Sequence, residues 1–131
     1  MLTDHWQQWP ELAKIPRVTI QAKSHDGREA TYDGVPLIEL LKMAGVQFGE
    51  KLRGKALANY LVAEGADGYR AVFPLPEIDS AFNDRVIIIA DKRNGQPLAP
   101  NEAPWRLVVV GEKREARWIR QLTAIHIRQS Q

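Results

Sequence analysis

The stretch REATYDGVPLIELLKMAG, Arg28 to Gly45, decides the fold class, because within it a strand gives way to a helix. Its opening, Arg28 to Tyr32, reads as a returning strand: His25-Asp26-Gly27 lies just before it, and an Asp-Gly pair supplies the positive backbone dihedrals of a tight hairpin. The outgoing partner is upstream, where Val18, Ile20 and Ala22 alternate onto one face as in a half-buried strand. The second half, Pro36 to Ala44, is the clearest helix in the chain. Leu37, Leu40, Leu41 and Ala44 share a face, Pro36 suits the first turn and Gly45 the C-terminal cap.

Working outward, Ala56 to Glu64 reads as a strand or short helix, Asp67-Gly68 as a tight turn, and Tyr69 to Phe73 as a strand ended by Pro74 and Pro76. Leu75 to Phe82 forms a short helical turn before the apolar run Val86 to Ala90, a buried strand. Asn94-Gly95 closes another turn. The loop Gln96 to Pro104 holds Pro97, Pro100 and Pro104, so it is irregular but stiff, which suits it to presenting side chains at fixed positions. Arg106 to Val110 is a second buried strand. Trp118 to Arg128, through Ile119, Leu122, Ile125 and Ile127, has a mixed spacing that suits a turn of helix and then a terminal strand. Near the start, Trp6, Trp9 and Leu12 recur every third residue and suggest a short helix or turn, limited by Pro10, that covers the core with its indoles; an exposed aromatic docking patch is the alternative. With no repeat, low-complexity tract or linker, residues 1–131 are read as a single α+β domain.

The 18 basic and 16 acidic residues leave a formal charge of +2, which gives no reason to expect nucleic acid or an anionic membrane as partner. The charges are uneven, however. Lys113, Arg114, Arg117, Arg120 and Arg128 crowd the last stretch against only Glu112 and Glu115, so it forms either a local anion site or a solvated charged segment. No apolar run approaches the roughly 20 residues of a membrane-spanning helix, and Met1 to Pro10 lacks an export signal's apolar segment. The absence of cysteine excludes disulfides, thiolate metal sites and cysteine nucleophiles together. His5, His25 and His126 have no metal-ligand spacing, Asp67 is explained as a turn former, and no catalytic arrangement of Ser, His and Asp, paired carboxylates or phosphate-cradling glycines stands out. Neither a metal site nor catalytic residues are expected.

Five segments in order carry a family resemblance. They are Tyr32-Asp33-Gly34-Val35-Pro36-Leu37 leading into the Leu-Leu helix, Ala66-Asp67-Gly68-Tyr69, Asn94-Gly95-Gln96-Pro97-Leu98, Ala103-Pro104-Trp105-Arg106-Leu107-Val108-Val109, and Glu115-Ala116-Arg117-Trp118-Ile119-Arg120-Gln121-Leu122. From about Val18 onward the chain resembles the molybdopterin-binding domain of sulfite oxidase-like proteins. The resemblance implies a mixed, β-rich α+β fold with few short helices. It also implies a pocket in which side chains around the Ala-Pro step and basic residues of the later segment hold the pterin's phosphate and polar edges. Asn101, Arg106 and Arg120 match such positions, and His25 lies near the family's metal ligand. Arginine offers a planar fork of donors suited to phosphate, and asparagine both donates and accepts at a heterocycle edge. The alternative is that Arg106 and Arg120 pair with Glu102 or Glu115.

Two departures bear on function. Where the family places a cysteine thiolate on molybdenum, at the end of the strand Val18-Thr19-Ile20-Gln21-Ala22, this chain has Ala22 or, one place on, Lys23, and neither replaces a soft thiolate. The family's glycine at the start of the last segment is here Glu115, a carboxylate that repels phosphate unless an arginine neutralises it. The first expectation is therefore a domain without molybdenum catalysis or bound cofactor, binding a small anionic ligand or a redox protein partner. The alternative is an oxidoreductase that holds molybdopterin through the cofactor's dithiolene and solvent alone. A third reading is a docking module using exposed Trp6, Trp9 or Trp105. The family's frequent export implies a periplasmic location.

Overall fold

The computed structural model describes residues 6, 10–23, 27–82, 84–111 and 117–129. Strands β1 (Val18–Lys23) and β2 (Glu29–Pro36) form the expected antiparallel hairpin, with Val18 opposite Gly34 and Ala22 opposite Ala30. His25 and Asp26 of its turn lie outside the described residues. β2 runs past Tyr32 to Pro36 because its far edge pairs with β5 (Ile87–Arg93), through a bulge between Asp33 and Gly34. At the bulge the two backbones close until a Cβ on Gly34 would lie 2.0 Å from the Ile89 carbonyl oxygen, so only glycine fits.

Helix α1 (Leu37–Met43) follows with Pro36 at its N-cap. It ends in a Schellman motif: Gly45, at φ +95°, donates to the Lys42 carbonyl and Val46 donates to that of Leu41. The ambiguous Ala56–Glu64 stretch is in fact both elements, a short 3-10 helix at Gly54–Ala58 and strand β3 (Tyr60–Gly65). β3 turns into β4 (Arg70–Pro74) through Gly68, and the Asp67 carboxylate accepts the Tyr69 N–H at 3.0 Å, a turn-forming role. Helix α2 spans Leu75–Ile78. Asn94 and Gly95, both at positive φ, close the hairpin from β5 to the two-residue strand β6 (Gln96–Pro97).

β7 (Arg106–Val109) pairs with the first half of β5, and β8 (Leu122–Arg128) pairs with β3. The result is a five-stranded antiparallel sheet, β1-β2-β5-β6 with β7 also on β5, and a three-stranded one, β4-β3-β8. Ile87 to Ala90 and Arg106 to Val109 are buried at every position, as a strand covered on both faces requires, whereas β3 and β4 alternate. Both sheets contribute to one hydrophobic cluster, with Tyr32, Leu40, Leu61, Phe73, Ile88 and Leu107 among its members.

Trp118 to Gln121 corrects the sequence reading, for no turn of helix forms there. The Leu107 N–H donates to the Ile119 carbonyl, Gln121 donates to the Glu102 carbonyl and Leu122 to that of Trp105, so these backbone groups are spent sideways rather than along a helix. Trp118 and Ile119 are buried in succession, and Gln121 takes φ +48° to start β8.

Candidate functional site

The site is built where the proline-rich loop meets the segment leading into β8. In the loop, the Ala99 carbonyl accepts the N–H groups of both Glu102 and Ala103. This tight turn leaves Asn101 exposed at its tip and carries Glu102 inward. Gln121 ties the segments together, its backbone N–H to the Glu102 carbonyl at 2.9 Å and its side-chain amide to the Pro100 carbonyl at 3.2 Å.

Arg106, first residue of β7, is 3% exposed, and its guanidinium lies 2.5 Å from the Glu102 carboxylate, which is 7% exposed. The same guanidinium sits over the Trp118 ring, 5.1 Å from its centroid. Trp118 is itself fixed, since its indole N–H donates to the Val109 carbonyl at 3.0 Å and Tyr32 meets it edge-on at 5.7 Å. Arg106 is thus clamped between a carboxylate and an indole face. The pairing with Glu102 is one of the two readings the sequence held open for this arginine.

Arg120 is exposed, and its fixed part is the backbone: a Cβ on Gly65 would come within 2.6 Å of the Arg120 carbonyl oxygen. The fold therefore brings together the loop of Asn101 and the segment of Arg120, but one arginine is buried and neutralised while the other faces solvent. His25 and Glu115 lie outside the described residues. Ala22, at the expected cysteine position, is 5% exposed and belongs to the core, and Lys23 is exposed at the strand end.

A second arginine–glutamate pair lies in the crowded basic stretch. Arg117 reaches across to α2, donating to both carboxylate oxygens of Glu77 at 2.8 and 2.5 Å and to the Val72 carbonyl at 3.1 Å, with its guanidinium 4.3 Å from the Phe73 ring centroid. Arg85 approaches the same carboxylate at 3.4 Å. The Arg117 hydrogen bonds hold the Glu77 carboxyl below its usual range, with the two positive charges adding to the effect and partial burial opposing it. A cavity of about 480 Å³ lined by Glu77, Asp84, Arg85, Val110 and Gly111 adjoins the pair. Nothing in the local sequence announces Glu77, which lies 40 positions from Arg117. Lys113 and Arg114 fall outside the described residues.

Trp6 corrects the docking reading, because it is fully buried and packs at a tilt on Trp105, ring centroids 5.7 Å apart. Trp105 is half-buried and Trp9 lies outside the described residues. Among the described residues, no group of three His, Cys, Asp or Glu is placed to hold a metal ion, and no helix is long and apolar enough to cross a membrane.

With this geometry in view, comparison with known families is decisive: residues 8–131 match the family described as oxidoreductase molybdopterin binding domain. The chain belongs to that family. No curated protein matches it. The residues present nevertheless fit a loaded metal centre poorly. This molybdopterin-binding-domain protein has no cysteine to offer molybdenum, a packed methyl at Ala22, and an Arg106 whose charge Glu102 already neutralises.

Proposed function

We propose that this family member keeps the scaffold but works as a binding module without molybdenum redox chemistry. The observation that carries the reading is the buried Glu102–Arg106 pair. In a site meant for phosphate, arginine must present its donors to the ligand. Here a carboxylate of the chain takes that place, and a second anion would have to displace it from a dry, low-dielectric setting where the pair is strongly held. The missing thiolate points the same way, since neither Ala22 nor Lys23, where the resemblance places the metal-binding cysteine, supplies a sulfur donor.

The family match favours the second reading, a molybdopterin-dependent oxidoreductase that holds its cofactor without a cysteine ligand. One experiment separates the two. The full chain is purified from a host that makes the cofactor, alongside a molybdenum enzyme as control, and assayed for molybdenum and for pterin fluorescence after oxidation. Background levels of both are expected; stoichiometric molybdenum and pterin would overturn the binding-module reading.

A further inference from the structure

A cavity of about 270 Å³ opens between the end of α1, the two 3-10 turns that follow (Gly49–Lys51 and Gly54–Ala58), the start of α2 and the tail of β8. Its apolar wall is made by Val46, Leu52, Ala56, Leu75 and Ile127. Three polar side chains complete it, Lys51 and the amides of Gln47 and Asn59, and no carboxylate lines it. Lys51 is exposed and makes no ion pair with any described residue.

We infer that this cavity binds a small amphipathic carboxylate, its apolar body against Val46, Leu52, Leu75 and Ile127 and its charge at Lys51. Size, lining and charge each support this. An apolar cavity of roughly 150 Å³ already accommodates benzene, so the space suits a ring or a short alkyl chain. Water in such a recess has few partners, and its replacement by apolar atoms is favourable. A lysine and two amide residues in the lining, with no carboxylate among them, favour an anionic head able to accept hydrogen bonds. The negative end of α1 opposes such a head only weakly, because the Schellman motif has already satisfied the Leu41 and Lys42 carbonyls. The larger cavity beside Glu77 lacks this selectivity, since Glu77 and Asp84 stand against Arg85 in its own wall.

This assignment deepens the binding-module reading and rests on it, and its test is independent of cofactor content. Full-length protein from a host unable to make molybdopterin is titrated with octanoate, with octanol as the uncharged match and acetate as the head without a tail, and binding is followed by amide chemical shifts. Octanoate should bind with shifts concentrated at Val46, Lys51 and Ile127, octanol more weakly, and acetate not at all over the same range. Lys51→Gln, a surface change that leaves the fold intact, should weaken octanoate about five- to tenfold and leave octanol unchanged. Ala56→Phe, which fills the cavity, should abolish both. Equal affinity for octanoate and octanol, shifts located elsewhere, or octanoate binding indifferent to both variants would each overturn the assignment. None of these outcomes bears on molybdenum content, so the failure of this site and the failure of the binding-module reading are told apart.

Discussion

Two arginine–glutamate pairs, each laid against an aromatic ring, sit at different depths, and depth separates their roles. Arg106 and Glu102 are four residues apart and almost wholly buried, with Trp118 beneath the guanidinium. Arg117 and Glu77 join distant parts of the chain near the surface, their side chains 25% and 20% exposed, with Phe73 in the corresponding place. The chemistry is shared, but the surroundings are not. Water screens the outer pair and leaves it open to titration, whereas the inner pair is a commitment made at folding, because neither charge can be left in the core without the other. In the inner pair the chain supplies its own anion to an arginine that the family resemblance assigns to phosphate; in the outer pair it fastens a strand edge. The Val72 carbonyl belongs to β4, an edge strand of the smaller sheet, and Arg117 occupies an acceptor that would otherwise invite another strand.

The sharpest way to break the comparison is Glu102→Ala. It leaves the Arg106 guanidinium buried without its carboxylate, and the expected loss is about 3–5 kcal/mol by urea denaturation. Combining Glu102→Leu with Arg106→Met should recover most of that loss, since removing both charges leaves none buried. Sulfate should stabilise Glu102→Ala more than it stabilises the parent protein, because an external anion can then occupy the place of the carboxylate. A loss below about 1 kcal/mol would place the inner pair with ordinary surface ion pairs and remove the ground for treating it as a built-in occupant.

Much of this architecture is legible in the sequence, and the reason is locality. The β1–β2 hairpin, α1 and the turns at Asp67-Gly68 and Asn94-Gly95 are encoded by side-chain period and turn chemistry within a few residues. The strands β5 and β7 declare themselves as short apolar runs. Trp118 to Gln121 is misread because its conformation is set by hydrogen bonds to Leu107, Glu102 and Trp105, partners that no local pattern reveals. In the candidate site, the pairing of Arg106 with Glu102 is visible as one of two options, but sequence alone cannot choose between an internal carboxylate and an external phosphate. The Glu77 partnership is invisible, as it depends on α2 and the segment before β8 meeting across the fold.

The outer pair should respond more gently, and to pH. Arg117→Ala removes the paired hydrogen bonds to Glu77, the bond to Val72 and the contact with Phe73, and should cost about 2 kcal/mol. Glu77→Gln separates the charge from the rest. Since the folded-state pKa of Glu77 lies below its unfolded value, its stabilisation is complete above the ordinary glutamate range and is lost as pH falls through the lowered folded value. The difference in Tm between the parent protein and Glu77→Gln should therefore be largest near neutral pH and close as the pH is taken below the ordinary glutamate range. A difference that stays constant over that range would mean that the Glu77 charge contributes nothing and that shape alone holds α2.

The smallest effects are expected where the family resemblance assigned ligand contacts but the structure leaves the side chains in solvent. Asn101 stands at the tip of a turn closed by backbone groups, Ala99 accepting from Glu102 and Ala103, so its amide is not needed to hold the loop. Arg120 contributes its carbonyl, packed over Gly65, and that atom survives any change of side chain. Asn101→Ala and Arg120→Ala should each alter stability by no more than about 0.5 kcal/mol, and should leave the sulfate response of Glu102→Ala unchanged when added to it. If Arg120→Ala instead abolished that response, the exposed arginine would share the anion vacated by Glu102. The inner site would then extend to the surface as a cleft with two arginines rather than a closed pair.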